Sequence, residues 1–279
     1  TKSITTRIDI NPFVVGIIIA ILAGGIIIKG VKGIADATSK LVPVMGLGYL
    51  LVALIIVFMN IEMIPSIFAS IIKDAFQLKS AGVGILTSLL IGVQRGIFSS
   101  EAGLGSGAIA SATSDTNNPV GQGLIQILGI YFTSLVVCTS TALIILTSNY
   151  QHLALTDING IEITQYALQY HLGSIGEWIL IFAIVLFAFS TVITGYYYGE
   201  SNLQYLYPKH KPKHIFLLKV ITLLLLIYGC VASANFLWKM VDIFVACMAI
   251  INIYALFGMR KDIAYEWDHY KRKKQKNKS

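Results

Sequence analysis

The most constraining feature of this sequence is a series of long stretches that contain few or no charged residues. A transmembrane helix needs about 20 consecutive, mainly apolar residues. Seven stretches approach or exceed that length, and we predict a membrane span in each of them: 12–28, 41–59, 81–112, 119–147, 178–198, 215–232 and 236–259. The sequence therefore predicts an all-α polytopic membrane protein formed by a single transmembrane domain.

The composition of the chain supports this prediction. Of the 279 residues, 56% are hydrophobic and 13% are charged, whereas a soluble domain has about 25% charged residues. The mean hydropathy is +0.74. These values exclude a disordered chain, a basic nucleic-acid-binding domain and an ordinary cytosolic enzyme, and they make the lipid bilayer the expected surroundings.

The loops between the predicted spans differ in charge. One side of the membrane receives fourteen lysine and arginine residues, eight of which lie in the basic tail 260–279, and the other side receives five. Positive residues accumulate on the cytoplasmic side of membrane proteins. We therefore expect the tail in the cytoplasm and the chain as a whole in the plasma (cell) membrane.

The segment 92–112 differs from the other spans because it carries Arg95 and Glu101. A charge at the bilayer centre costs at least about 2.5–3.5 kcal/mol on insertion scales, so both side chains should face protein or water. The segment is also rich in glycine and serine, which lower helix propensity. This pattern is typical of a discontinuous helix, whose free backbone groups can bind ligands and ions. The alternative is a continuous helix that packs through Ser99, Gly103 and Gly107, which leaves Arg95 and Glu101 unexplained.

The same segment contains a family signature. The stretch RGIFSSEAGLGSG resembles the signature of the alanine or glycine:cation symporters, also called sodium:alanine symporters. The similarity continues, in family order, through VPVMGLGYLL, PVGQGLIQILGIYF, VVCTSTALIIL and FAFSTVITGYYYGE. The resemblance implies a LeuT-like fold of two inverted repeats with most of the first repeat missing. We therefore expect this chain to be the C-terminal portion of such a symporter.

Two sets of site residues follow from combining the resemblance with the predicted break. We expect the substrate to contact four consecutive residues, with Phe98 inside the break: Gly96, Ile97, Phe98 and Ser99. We expect a second group to organise the break or gate it: Arg95, Glu101, Gly103 and Gly105. Phe98 could equally face lipid or the protein core.

A sodium ion would bind elsewhere in the chain. The hydroxyls of Ser190 and Thr191, in the stretch FAFST, resemble the sodium ligands of LeuT-like folds. The alternative is that both hydroxyls bond back to the preceding helical turn, as is common in membrane helices. Near the start of the last span, Lys239 and Asp242 lie three residues apart, and we interpret them as a partly exposed ion pair.

These features predict a secondary active transporter that couples symport of alanine, glycine or another small neutral amino acid to Na⁺ or H⁺. No cofactor is expected other than the co-transported ion. An enzyme is disfavoured, because no histidine lies within a predicted span and no HExxH motif occurs. A channel-like protein, or an inactive half-transporter that needs its missing repeat, remains the alternative. The sequence does not predict an oligomeric state.

Overall fold

The computed structural model describes residues 2–5, 10–75, 83–150, 160–208 and 212–276, and within these ranges the regular structure is helical. Besides single turns at Lys2–Thr5 and Ile61–Met63, its helices are α1 (Pro12–Ile27), α2 (Gly30–Met59), α3 (Ile64–Ala75), α4 (Val83–Ser100), α5 (Ser106–Ser111), α6 (Pro119–Leu146), α7 (Ile161–Leu206), α8 (Pro212–Val231), α9 (Ala234–Gly258) and α10 (Arg260–Lys276). Helix α6 contains a π-helical segment at Phe132–Cys138.

Five helices of the described chain are long and apolar enough to cross a membrane: α2 from Gly33, α6, α7, α8 and α9. Helix α1 is apolar but has only 16 residues. These helices expose large apolar side chains, such as Ile55 on α2 and Leu225 on α8. Such surfaces suit lipid chains rather than water, and the chain is therefore a multi-pass membrane protein.

Two helices extend well beyond the spans that hydropathy marks. Helix α2 begins at Gly30, although the predicted span begins at residue 41, and α7 begins at Ile161, before the predicted start at 178. Charged and hydroxyl residues end a hydropathy peak but do not end a helix. Thr38, for example, continues α2 and donates its hydroxyl to the Ile34 carbonyl at 2.9 Å. The number and direction of the membrane crossings stay predictions.

The chain divides into two compact units. The first unit comprises residues 1–77 and 138–233, and helices α1, α2, α7 and α8 form most of it. A core cluster joins α1, α2 and α7: Ala23, Ile27, Ile34, Ile193 and Tyr196. Helices α1 and α8 approach closely at Gly16, where an added Cβ would lie 3.1 Å from the Cβ of Cys230.

Helix α7 is sharply kinked in the first unit. Gly173 has φ 64° and ψ −151°, which no helical residue adopts. The buried side chains of Gln165 and Glu177 join the two arms, since the Gln165 amide donates to Glu177 at 2.8 Å. The Thr147 hydroxyl lies 3.0 Å from Nε2 of His171 and holds the first arm near the end of α6.

The second unit comprises residues 78–137 and 234–279. It contains α4, α5, the first part of α6, α9 and α10, and therefore holds the glycine- and serine-rich segment that the sequence marks. Asn118 caps the start of α6, because its side chain accepts from the Gly121 amide at 3.0 Å. The basic tail is helical as far as Lys276 and contacts the start of α6.

Candidate functional site

Helix α4 ends within the segment that carries the family signature. Gly96, Ile97, Phe98 and Ser99 lie in its last turns, and the helix ends at Ser100. The Ser100 hydroxyl donates to the Gly96 carbonyl at 2.8 Å. The expectation that Phe98 lies inside the break is wrong, because the backbone is still helical there.

The interruption, which we define as residues 101–105, follows directly. Three of its residues have a left-handed backbone: Glu101 with φ 53°, Gly103 with φ 80° and Gly105 with φ 86°. Glycine adopts such angles without steric cost, whereas Glu101 is strained by its Cβ. An α-helix cannot continue through such a backbone, and the next helix, α5, begins only at Ser106.

Local hydrogen bonds fix the shape of the interruption. The Leu104 amide donates to the Glu101 carbonyl at 3.2 Å. The Ser106 hydroxyl donates to the Glu101 carboxylate at 2.5 Å, a short distance that is typical of a bond to a charged acceptor. Leu104 and Ser106 are both buried. Glu101 therefore accepts two of the hydrogen bonds at the interruption, one with its carbonyl and one with its carboxylate.

Helix α9 also contacts the interruption. The side-chain amide of Asn252 donates to the Gly103 carbonyl at 3.0 Å. The other side of this amide, Oδ1, would lie 3.0 Å from a Cβ added to Gly105. Gly105 is therefore required both by its backbone angle and by the close approach of Asn252.

Arg95 lies one and a half turns before the end of α4 and makes a second contact with α9. Its two terminal nitrogens donate to the two carboxylate oxygens of Asp242 at 3.0 and 3.2 Å. Its guanidinium carbon lies 4.1 Å from the centre of the Trp238 ring, and the Phe98 ring meets the same tryptophan edge-on at 5.5 Å. The sequence had paired Asp242 with Lys239, but the structure pairs it with Arg95.

The geometry of the α4 end favours a positively charged ligand. The last four carbonyls of a helix lack partners within it and carry the negative end of the helix dipole. Here these groups lie in the last turn of α4, immediately before Glu101. Helix α5 has only six residues, so its start offers no comparable anion site. The arrangement suits an ammonium group or a metal cation better than a carboxylate.

Ser190 and Thr191 lie on α7, in the first unit. Both hydroxyls donate to the Phe187 carbonyl at 2.9 Å. Ser190 is buried next to the sulfur of Met45, whereas Thr191 lines an apolar cavity of about 530 Å³ between α1, α7 and α8. The structure thus places the two residues on different faces of α7, and their hydroxyl oxygens keep lone pairs for a ligand.

The sequence marked both Asp242 and Arg95 but did not predict that they pair with each other. It did not identify Asn252 as a site residue. Asn252 does carry a sequence signal, because it is a lone amide in the apolar run 243–259. A polar side chain in such a run must find a hydrogen-bond partner. That rule would have marked Asn252, although it could not have named Gly103.

Comparison with known proteins identifies relatives of this chain. The model of the sodium:alanine symporter family matches residues 1–279. The chain is 40% identical over 269 residues to the probable sodium/glutamine symporter GlnT of Bacillus subtilis, and the aligned region covers 96% of this chain and 55% of that protein. It is 37% identical over 282 residues to the amino-acid carrier protein AlsT of the same organism, and the aligned region covers 99% of this chain and 59% of AlsT. It is 35% identical over 257 residues to the sodium/alanine symporter AgcS of Methanococcus maripaludis, and the aligned region covers 91% of this chain and 56% of AgcS.

The chain thus spans little more than half the length of these relatives. The family and the relatives named here are transporters and not enzymes, which agrees with the expectation from the sequence. A match along the entire chain, together with identities of 35–40%, is stronger than any single motif. The resemblance seen in the sequence is confirmed: this chain belongs to the sodium:alanine symporter family.

Proposed function

We propose that this chain forms part of a secondary active transporter that couples the uptake of a small neutral amino acid to a cation gradient. The observation that carries the proposal is the family match over residues 1–279. The names of GlnT and AgcS give sodium as the coupling ion and glutamine and alanine as the substrates of those proteins. We choose Na⁺ over H⁺, and alanine or glycine as the substrate.

The interrupted helix gives this function a location. The carbonyls in the last turn of α4 would receive the ammonium group of an amino acid, and Glu101 would organise or gate this end of the helix. Phe98 and Gly96 would limit the size of the side chain that fits beside them. Arg95, Gly103 and Gly105 would hold or gate this end of the helix, and Ser190 and Thr191 would supply hydroxyl oxygens to Na⁺.

The proposal includes a LeuT-like fold of inverted repeats in the plasma membrane, with the tail 260–279 in the cytoplasm. In such folds, substrate and ion bind at discontinuous helices near the middle of the membrane. A rocking motion then exposes the site to each side in turn. The channel-like alternative gains no support from the relatives, whose names describe symporters and carriers.

Uptake into sealed vesicles tests the proposed function. The protein that carries this chain is isolated from native membranes with an antibody against residues 260–276 and reconstituted into proteoliposomes. We expect saturable uptake of labelled L-alanine or glycine with an inward Na⁺ gradient, and none with K⁺ or after a sodium ionophore dissipates the gradient. An inward H⁺ gradient without Na⁺ separates the two coupling ions. Uptake that rises linearly with substrate and ignores the gradient would contradict symport.

A further inference from the structure

Helix α9 contacts the interrupted helix at two separate places. The first joins Asp242 to Arg95, before α4 ends, and the second joins Asn252 to Gly103, inside the interruption. Ten residues separate Asp242 from Asn252, which is about 15 Å along a helix. Helix α9 therefore runs beside the end of α4 and bridges it to the irregular backbone that follows.

The contact at Asn252 has a defined orientation. With the nitrogen of its amide toward the Gly103 carbonyl, the pair forms a hydrogen bond of 3.0 Å. The reverse orientation would bring two oxygen atoms together at that distance and lose the bond. In the observed orientation Oδ1 faces Gly105. One side chain thus contacts two of the three residues whose backbone is left-handed.

The interruption depends on such contacts for its shape. A left-handed backbone has no helical hydrogen bonds of its own, and the bonds within the segment connect Glu101 to Leu104 and Ser106. Asn252 ties the same segment to a different helix. Any shift of α9 along its axis would therefore pull on the Gly103 carbonyl and change the end of the site.

We propose that Asn252 is a positioning residue: its amide fixes the interruption 101–105, and α9 and the interrupted helix change conformation as one element. The transport part of this inference rests on the proposed function, whereas the contact itself does not. Asn252 acts through the backbone of Gly103 and Gly105 and need not touch the substrate.

Hydrogen exchange tests the contact without any transport. We compare the wild-type chain with Asn252→Leu, which has a similar size and cannot donate. Peptides that contain residues 101–108 should exchange about three- to tenfold faster in the variant, the range expected when one net hydrogen bond is lost. The matched control is Asn202→Leu, which removes an amide bond to the Tyr198 carbonyl within α7 and should leave these peptides unchanged.

Uptake kinetics test the positioning role. Asn252→Leu should raise the half-saturation concentrations for the amino acid and for Na⁺ about three- to tenfold, in proportion to the change in exchange, and Asn202→Leu should raise neither. Asn252→Asp gives a second variant of nearly identical shape. It loses the hydrogen-bond donor and should also raise both half-saturation concentrations. If Asn252→Leu does not elute as a single species from size exclusion, the exchange and uptake of Asn252→Asp provide the test instead.

The outcomes separate the two proposals. If exchange in 101–108 is unchanged in both Asn252 variants, the inference is overturned, whatever the uptake result. If exchange rises while both half-saturation constants stay as in wild type, Asn252 holds the backbone but does not position the site, and the inference is again wrong. If the wild-type protein shows no cation-dependent uptake, the proposed function fails, and the exchange measurement still decides the contact.

Discussion

Arg95 and Asp242 form a two-pronged ion pair, in which both carboxylate oxygens accept from the guanidinium at 3.0 and 3.2 Å. The two side chains are about one-third exposed, at 36% and 34%. A fork of this kind matches carboxylate geometry in a way that a lysine cannot. The pair ties the last turns of α4 to α9, and Trp238 covers the guanidinium from one side.

Arg95→Lys and Asp242→Asn should each lower the free energy of unfolding in detergent by about 1–3 kcal/mol, because each leaves a charged partner with fewer hydrogen bonds. The double variant should be less destabilised than the sum of the two. A double-mutant cycle on thermal unfolding measures this coupling. Lys239→Ala is the control on the same helix and should change stability by less than about 0.5 kcal/mol. Additive effects of the two substitutions would contradict the pairing.

Gly105→Ala should destabilise the second unit by about 1–3 kcal/mol and impair uptake. The new Cβ would lie 3.0 Å from Asn252 Oδ1, on a backbone with φ 86°. Gly107→Ala is the matched control, because Gly107 is helical and has no atom within 4 Å of an added Cβ. That change should be neutral or stabilising by up to about 1 kcal/mol. Equal effects of the two alanines on the unfolding temperature would show that the left-handed angle is unimportant.

Glu101→Gln should abolish uptake while the protein still inserts and folds. The glutamine keeps an oxygen that can accept from Ser106 but removes the negative charge at the end of α4. Ser106→Ala makes the complementary change, since it removes the hydroxyl and keeps the charge, and it should retain measurable uptake. Initial uptake rates and size-exclusion profiles of both variants provide the test. Normal transport by Glu101→Gln would sink the idea that this carboxylate organises or gates the site.

Ser190→Ala and Thr191→Val should raise the half-saturation concentration of Na⁺ about tenfold if the hydroxyls bind the ion. Stability should change by only about 1 kcal/mol, because each loses one hydrogen bond to the Phe187 carbonyl. Thr194→Val removes the same kind of bond, from Thr194 to the Ser190 carbonyl at 2.8 Å, and serves as the control. A sodium dependence that shifts equally in all three variants would assign the hydroxyls to helix packing instead.

The sequence alone predicted an all-helical membrane protein and marked the segment in which the helix is interrupted. It did so because both properties depend on local composition: apolar length in the first case, and charge with glycine in the second. It placed the break too early, at Phe98, because low helix propensity extends over the whole stretch from Gly96 to Gly107. Only the backbone angles distinguish Gly96, which is helical, from Gly103 and Gly105.

The partners of the charged residues could not be predicted in the same way. Lys239 lies three residues from Asp242, so local spacing favours it, whereas Arg95 is 147 residues away in the chain. Contacts over such distances depend on how helices pack, which periodicity does not encode. The same reason explains Asn252, whose partner Gly103 is 149 residues distant.

The kink of α7 has a consequence at the level of the gene. Gly173 combines φ 64° with ψ −151°, a region that is essentially restricted to glycine, and a Cβ on nearby Gly176 would collide with the Leu168 carbonyl. Every missense change of a glycine codon introduces a Cβ. Natural variants of this protein should therefore keep glycine at both positions, even where the surrounding apolar residues are replaced by other apolar residues.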